Sequence, residues 1–255
     1  MAKIVNMIRL MLEAKAGDVL AQSELGIRLY SGDGVKPNYR EAVKWLTLAS
    51  DAGDADATCV LGSCLLYGRG IEQNPRRALL MFEKAAEKGC PEAHVELGDL
   101  LSRPPDGWTP DYDSAIQHYL KAGELGKPDA YVYAGMVYEH IVPSNDDEAY
   151  KCYCKAYDLG SKRVLSCLGA CYEFGIGCKQ DMAKAMELFR RGEEMGDGLS
   201  QMSLAEIYDE GRGGIEQDPK EALRLYREAS KNGIDEADEM VKDLEEYFRC
   251  QASGQ

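Results

Sequence analysis

The chain is 255 residues long and acidic, with 44 Asp and Glu against 30 Lys and Arg and a formal net charge of −14. That balance argues against a nucleic-acid backbone or an anionic membrane as partner; it suits a basic protein ligand, although a solvated surface alone also accounts for it. No run of 18 apolar residues occurs, so no segment is expected to span a membrane.

The first element is residues 3–16. Lys3 precedes Ile4, Val5, Met7, Ile8 and Leu10 to Leu12, and Ala14-Lys15-Ala16 follows, which imitates a secretory leader with its cleavage site. Asn6, Arg9 and Glu13 interrupt the apolar stretch, however, and Gly17 ends it in register with the rest of the chain. Residues 3–17 are therefore expected to form an N-terminal capping helix.

From Gly17 onward glycines recur at Gly53, Gly89, Gly126, Gly160, Gly196 and Gly233, a spacing of 34 to 37 residues that marks a stacked helical repeat. Four residues after each stands Ala21, Ala57, Ala93, Ala130, Val164 or Ser200, and Ala237 opens a last partial copy. Five further on comes a small residue, Gly26, Gly62, Gly98, Gly135, Gly169 or Ala205, and three beyond that Leu29, Leu65, Leu101, Tyr138, Tyr172 or Tyr208. This spacing predicts one helix, A, whose interior glycine needs a reason because it costs about 1 kcal/mol against alanine. Close approach to another helix supplies that reason.

A second helix, B, is predicted from Ala42, Ala78, Ala115, Ala149, Ala185 and Ala222 with Leu46, Phe82, Tyr119, Tyr153, Phe189 and Tyr226 four residues on, each ending at a register glycine that caps it in the left-handed conformation. Between A and B, four units carry paired glycines: Gly32-Gly34, Gly68-Gly70, Gly175-Gly177 and Gly211-Gly213, one residue apart. They lack the lysine and the Ser/Thr of a phosphate loop, so they read as turns. The third loop, Arg103 to Pro110, is the most irregular. Its Trp108 reads either as an exposed interaction anchor or as a ring folded back on its own helix ends. The fourth unit lacks paired glycines before Asp146, and the acidic, amphipathic 234–250 reads as a C-terminal capping helix.

The pattern Ala-x3-Leu-Gly-x2-Tyr/Leu-x2-Gly-x-Gly-Val/Ile, then Ala-x2-Trp/Phe/Tyr-x3-Ala and Gly, resembles the Sel-one-like repeat, a relative of the tetratricopeptide repeat; Ala21, Leu25, Gly26, Gly32, Gly34, Val35, Ala42, Trp45, Ala49 and Gly53 carry it in the first unit. The repeats fall at 18–53, 54–89, 90–126, 127–160, 161–196 and 197–233 of one solenoid domain spanning 1–255. The resemblance implies an all-α, right-handed superhelix with A helices on a concave wall and B helices outside. It also implies a scaffold or adaptor that assembles other proteins.

The remaining residues give little chemistry. Cys59, Cys64, Cys90, Cys152, Cys154, Cys167, Cys171, Cys178 and Cys250 follow no common register and read as thiols of a reduced, cytoplasmic chain. Cys167, Cys171 and Cys178 could offer a metal three thiolates, but no CxxC or histidine spacing supports zinc, and small buried hydrophobes are the better reading. His94, His118 and His140 pair with no nucleophile. Catalytic, cofactor and metal sites are thus not expected. The expected function is a non-catalytic, monomeric scaffold for a protein or peptide, with a secreted or host-directed ligand-binding protein as the alternative. Its contact residues are expected at Trp108 or on the A-helix wall at Val95, Val132, Tyr133 and Met136, where half-buried packing is the competing account.

Overall fold

A computed structural model describes the backbone of residues 2–141 and 143–253, and the side chains of 7–141 and 143–251. Lys3, Ile4 and Val5 of the expected capping helix have side chains outside that set. Among the described residues there are fourteen α-helices and no strand, an all-α repeat solenoid. Contacts divide the chain into two compact units, one ending at Lys127 and one beginning at Pro128.

In the first unit a capping helix, α1 (Ala2–Lys15), precedes the A and B helices of three repeats: α2 (Val19–Ser31) with α3 (Tyr39–Asp51), α4 (Ala55–Tyr67) with α5 (Pro75–Glu87), and α6 (Pro91–Ser102) with α7 (Tyr112–Glu124). The second unit pairs α8 (Pro128–His140) with α9 (Asp146–Asp158), α10 (Leu165–Phe174) with α11 (Met182–Glu194), and α12 (Gly198–Glu210) with α13 (Pro219–Lys231), and ends in α14 (Ala237–Ser253). A short 3-10 turn, Arg212–Gly214, lies between α12 and α13.

The B-to-A connection is the same short device each time. At the end of α3 the Gly53 N–H donates to Ser50 O and the Asp54 N–H to Ala49 O, a Schellman pair that requires Gly53 at φ +98°. The next residue caps the following helix: the Asp54 carboxylate accepts from the Ala57 N–H at 2.7 Å, as Asp18 does from Ala21. The same pair of backbone bonds recurs at Gly17, Gly89, Gly126, Gly160, Gly196 and Gly233. Through the first three repeats and before α12 one residue ends a helix and its neighbour starts another; after Gly160 and Gly233 a further turn intervenes, and α10 and α14 begin only at Leu165 and Ala237.

The A-to-B loops vary in length, yet their anchors do not. In every repeat the N-cap N–H of helix B donates to the carbonyl three residues past the helix-A small residue: Asn38 to Leu29, Asn74 to Leu65, Asp111 to Leu101, Asn145 to Tyr138, Asp181 to Tyr172 and Asp218 to Tyr208, all at 2.8–2.9 Å. The fourth repeat, which lacks paired glycines, closes in the same way.

The helix-A glycine faces the large side chain of its own helix B. A Cβ on Gly26 would stand 2.7 Å from Leu46 Cγ, on Gly62 2.7 Å from Phe82 Cε1, and on Gly98 2.6 Å from Tyr119 Cε1, while Gly135 and Gly169 meet Tyr153 and Phe189 still more closely. These partners are at most 2% exposed. Helix α4 packs against α2, α3, α5 and α6, whereas α5 packs against α4 and α6. A helices consequently bury side chains on several faces, and B helices bury one stripe and keep a charged outer side. The second glycine of a paired turn makes room between repeats: Gly70 lies against the Tyr39 carbonyl and Gly177 against that of Asp146, each on the helix B of the preceding repeat.

Candidate interaction surface

The A-helix side chains divide by register. Three residues before the small position, Ser23, Cys59, Val132 and Ser166 are buried, and Val95 and Met202 are half-buried. This register faces the neighbouring repeat, as the 2.8 Å bond from Ser23 Oγ to Asp54 Oδ1 shows. Of the expected contact residues, Val132 is 1% exposed and has no surface to offer, and Val95 is half-buried. Tyr133 is half-buried, with the Arg163 guanidinium 5.9 Å from its ring centroid. Met136 is 41% exposed.

Trp108 is half-buried and packs against the core cluster that contains Cys59, Phe82, Leu97 and Leu100. Its loop is drawn in by Trp108 N–H donating to Pro105 O at 3.2 Å and by Gly107 at φ +83°. Counted back from the helix-B N-cap, Trp108 stands three residues before Asp111, as Val35 stands before Asn38, Ile71 before Asn74 and Ile215 before Asp218. Those residues also pack against core clusters. Sequence reasoning missed this register because it aligned the loops on their paired glycines, and the third loop has a single one, Gly107.

A second missed register is the exposed one. Five residues past the small position, Ser31, Tyr67, Arg103, His140, Phe174 and Glu210 are all exposed, Tyr67 at 57% and Phe174 at 58%. The residue precedes the helix-A C-cap glycine in four repeats (Gly32, Gly68, Gly175 and Gly211), and that adjacency is the signal that could have found it. It lies one turn beyond the Met136 register, on the same helix face. In the first unit Tyr67 is held in place by Arg69, whose guanidinium also lies over Tyr30 and Tyr39, 5.2 to 5.6 Å from the three ring centroids.

The fold also assembles polar groups that the sequence left apart. His94 on α6 and His118 on α7 bring their Nδ1 atoms to 3.0 Å, and burial holds both below the usual histidine range. Glu173 is 3% exposed; burial raises its carboxyl while Arg212, 2.9 Å away, opposes the shift. Arg212 also reaches Glu206 and Glu210. Cys64 and Cys152 are pushed up to about 11 by burial and are inert packing thiols. Cys167 and Cys171 are likewise raised by burial, and the Cys178 thiol donates to the Cys171 carbonyl at 3.4 Å. Asp56, Cys90 and Glu92 bring ligand atoms within 4.8 Å of one another. No helix of the described residues is long and apolar enough to cross a membrane.

A family model for the Sel1 repeat matches residues 19–54, 55–90, 91–127, 128–161, 168–197 and 198–234. Among solved structures, a Sel1 repeat protein from Oxalobacter formigenes is 30% identical, with 85% of this chain and 89% of that one covered and a TM-score of 0.75. A protective antigen of uropathogenic Escherichia coli strains with an SLR fold is 25% identical, with 95% of this chain and 52% of that one covered and a TM-score of 0.74. Among curated proteins no sequence relative matches.

Proposed function

The chain belongs to the Sel1 repeat family, whose members mediate protein–protein interactions, and on that premise we propose that it is a non-catalytic scaffold holding a protein or peptide ligand against the exposed registers of its A helices. The observation that carries this reading is the exposure of Met136 at 41% and Phe174 at 58% on helices whose other apolar side chains are buried or half-buried. Tyr133 borders Met136 on α8 and adds aromatic area of the kind that dominates interfaces. The net charge of −14 favours a basic ligand, and the scaffold acts as a cytoplasmic monomer.

Affinity capture with the parent and with single variants tests the site. Met136→Glu and Phe174→Glu introduce charge on the A-helix face, and each is expected to weaken recovery of the bound protein by about tenfold or more while leaving the melting temperature within a few degrees. Leu80→Glu on the outer side of α5, where Leu80 is 59% exposed, is expected to leave recovery unchanged. Recovery lost with Leu80→Glu and kept with the other two would place binding on the B helices.

A further inference from the structure

At the junction of the second and third repeats two cysteines replace a polar pair. In the preceding junction Ser23 on α2 donates to the capping Asp54 of α4. Thirty-six residues on, the same two registers hold Cys59 and Cys90. Cys90 is the N-cap of α6 and lacks the carboxylate that Asp18, Asp54 and Asp197 bring to that register. Both thiols are 4% exposed, and the Cys59 thiol hydrogen-bonds to Cys90.

Two carboxylates close on the same sulfur. Cys90 Sγ lies 3.5 Å from Asp56 Oδ1 and 3.9 Å from Glu92 Oε2. One thiol has a single hydrogen, so ordinary hydrogen bonding cannot satisfy both carboxylates from Cys90. Asp56 and Cys59 are three residues apart on α4, which sets them on one face, and Cys90 with Glu92 opens α6. Tetrahedral zinc with sulfur at about 2.3 Å and oxygen at about 2.1 Å separates its ligand atoms by roughly 3.4–3.8 Å, close to the 3.5 and 3.9 Å between Cys90 Sγ and the two carboxylates. Lys127, which pairs with Glu92, offsets part of the negative charge.

We infer that Asp56, Cys90 and Glu92, joined by Cys59 beside Cys90 as a fourth ligand, form a two-sulfur, two-oxygen site for a borderline-soft divalent cation of the zinc class, bridging α4 of the second repeat to α6 of the third. Mixed thiolate and carboxylate ligands select such an ion over calcium or magnesium, which take oxygen alone. A cation there takes the place of the Ser23–Asp54 bond and adds stability that depends on its concentration.

Cobalt(II) titration of the full chain, stripped with chelator and kept reduced, tests the site. One equivalent is expected to produce thiolate-to-cobalt charge transfer with the visible bands of a tetrahedral ion, and zinc should displace it. Cys59→Ser and Cys90→Ser should each abolish the charge transfer or weaken binding about tenfold or more. Serine is a good N-cap, so Cys90→Ser is expected to fold. Asp56→Asn combined with Glu92→Gln, both on the surface, should weaken binding with the melting temperature of the metal-free protein unchanged, and Cys178→Ser should bind as the parent does. Absence of charge transfer, or parental cobalt affinity in Cys90→Ser, would overturn the site. A Cys59–Cys90 disulfide found in the native protein together with no cobalt binding would also overturn it, in favour of a redox pair.

Discussion

Gly62 illustrates how much one residue position carries. A glycine within a helical pattern already implied close packing, but which side chain fills the space was set by three-dimensional pairing: the Phe82 ring, 2.7 Å from where a Cβ would stand. That ring is fully buried and cannot swing away. Gly62→Leu is therefore expected to cost about 3 kcal/mol, read as a lower denaturant midpoint at unchanged slope. A midpoint equal to the parent's would remove the packing role. Trp108 is the converse case. Its two sequence readings could not be separated there, because its loop prolines speak for stiffness and not for direction. Its position among Val35, Ile71 and Ile215 in the register before helix B makes it a plug, and it is half-buried on the core. Trp108→Ala is expected to lower stability by about 2 kcal/mol, roughly half the cost of removing a fully buried tryptophan, with affinity per folded molecule unchanged. Intact stability with lost binding would make Trp108 an interface anchor instead.

At the scale of elements, the helix ends were the legible part, since a left-handed cap demands glycine and the demand recurs in every repeat. The exposed A-helix register was not legible. Ser31, Tyr67, Arg103, His140, Phe174 and Glu210 share no chemistry, and only neighbouring helices decide which face of an A helix stays open. The approach of Cys59 to Cys90 was hidden for a related reason. The nine cysteines share no common register, and these two occupy the separate registers of Ser23 and Asp54, so their pairing runs between repeats and is invisible within one. Asp54 shows what that junction contributes, because it caps α4 through the Ala57 N–H and accepts from Ser23 at once. Asp54→Ala is expected to cost 1–2 kcal/mol, about 1 for the cap and the rest for the orphaned Ser23 hydroxyl, by calorimetry or denaturant melting. Asp54→Asn keeps an Oδ1, the one oxygen that accepts both bonds, and should recover most of it; equal loss in the two variants would mean that charge, and not capping, stabilises the junction.

For the whole molecule, repetition explains why fold outran function in the sequence. Stacked units must agree on small residues, caps and core positions, so those positions announce themselves six times; a ligand needs only a few exposed side chains, and these differ from repeat to repeat. The account places ligand binding on the A helices, at Met136 and Phe174, and leaves the B helices as an outer, solvated layer. Hydrogen–deuterium exchange of the chain with and without a protein that it captures tests this most directly. The account predicts slowed exchange at the C-terminal turns of α8 and α10, with α9, α11 and α13 unchanged. Protection confined to α9, α11 or α13 would contradict it.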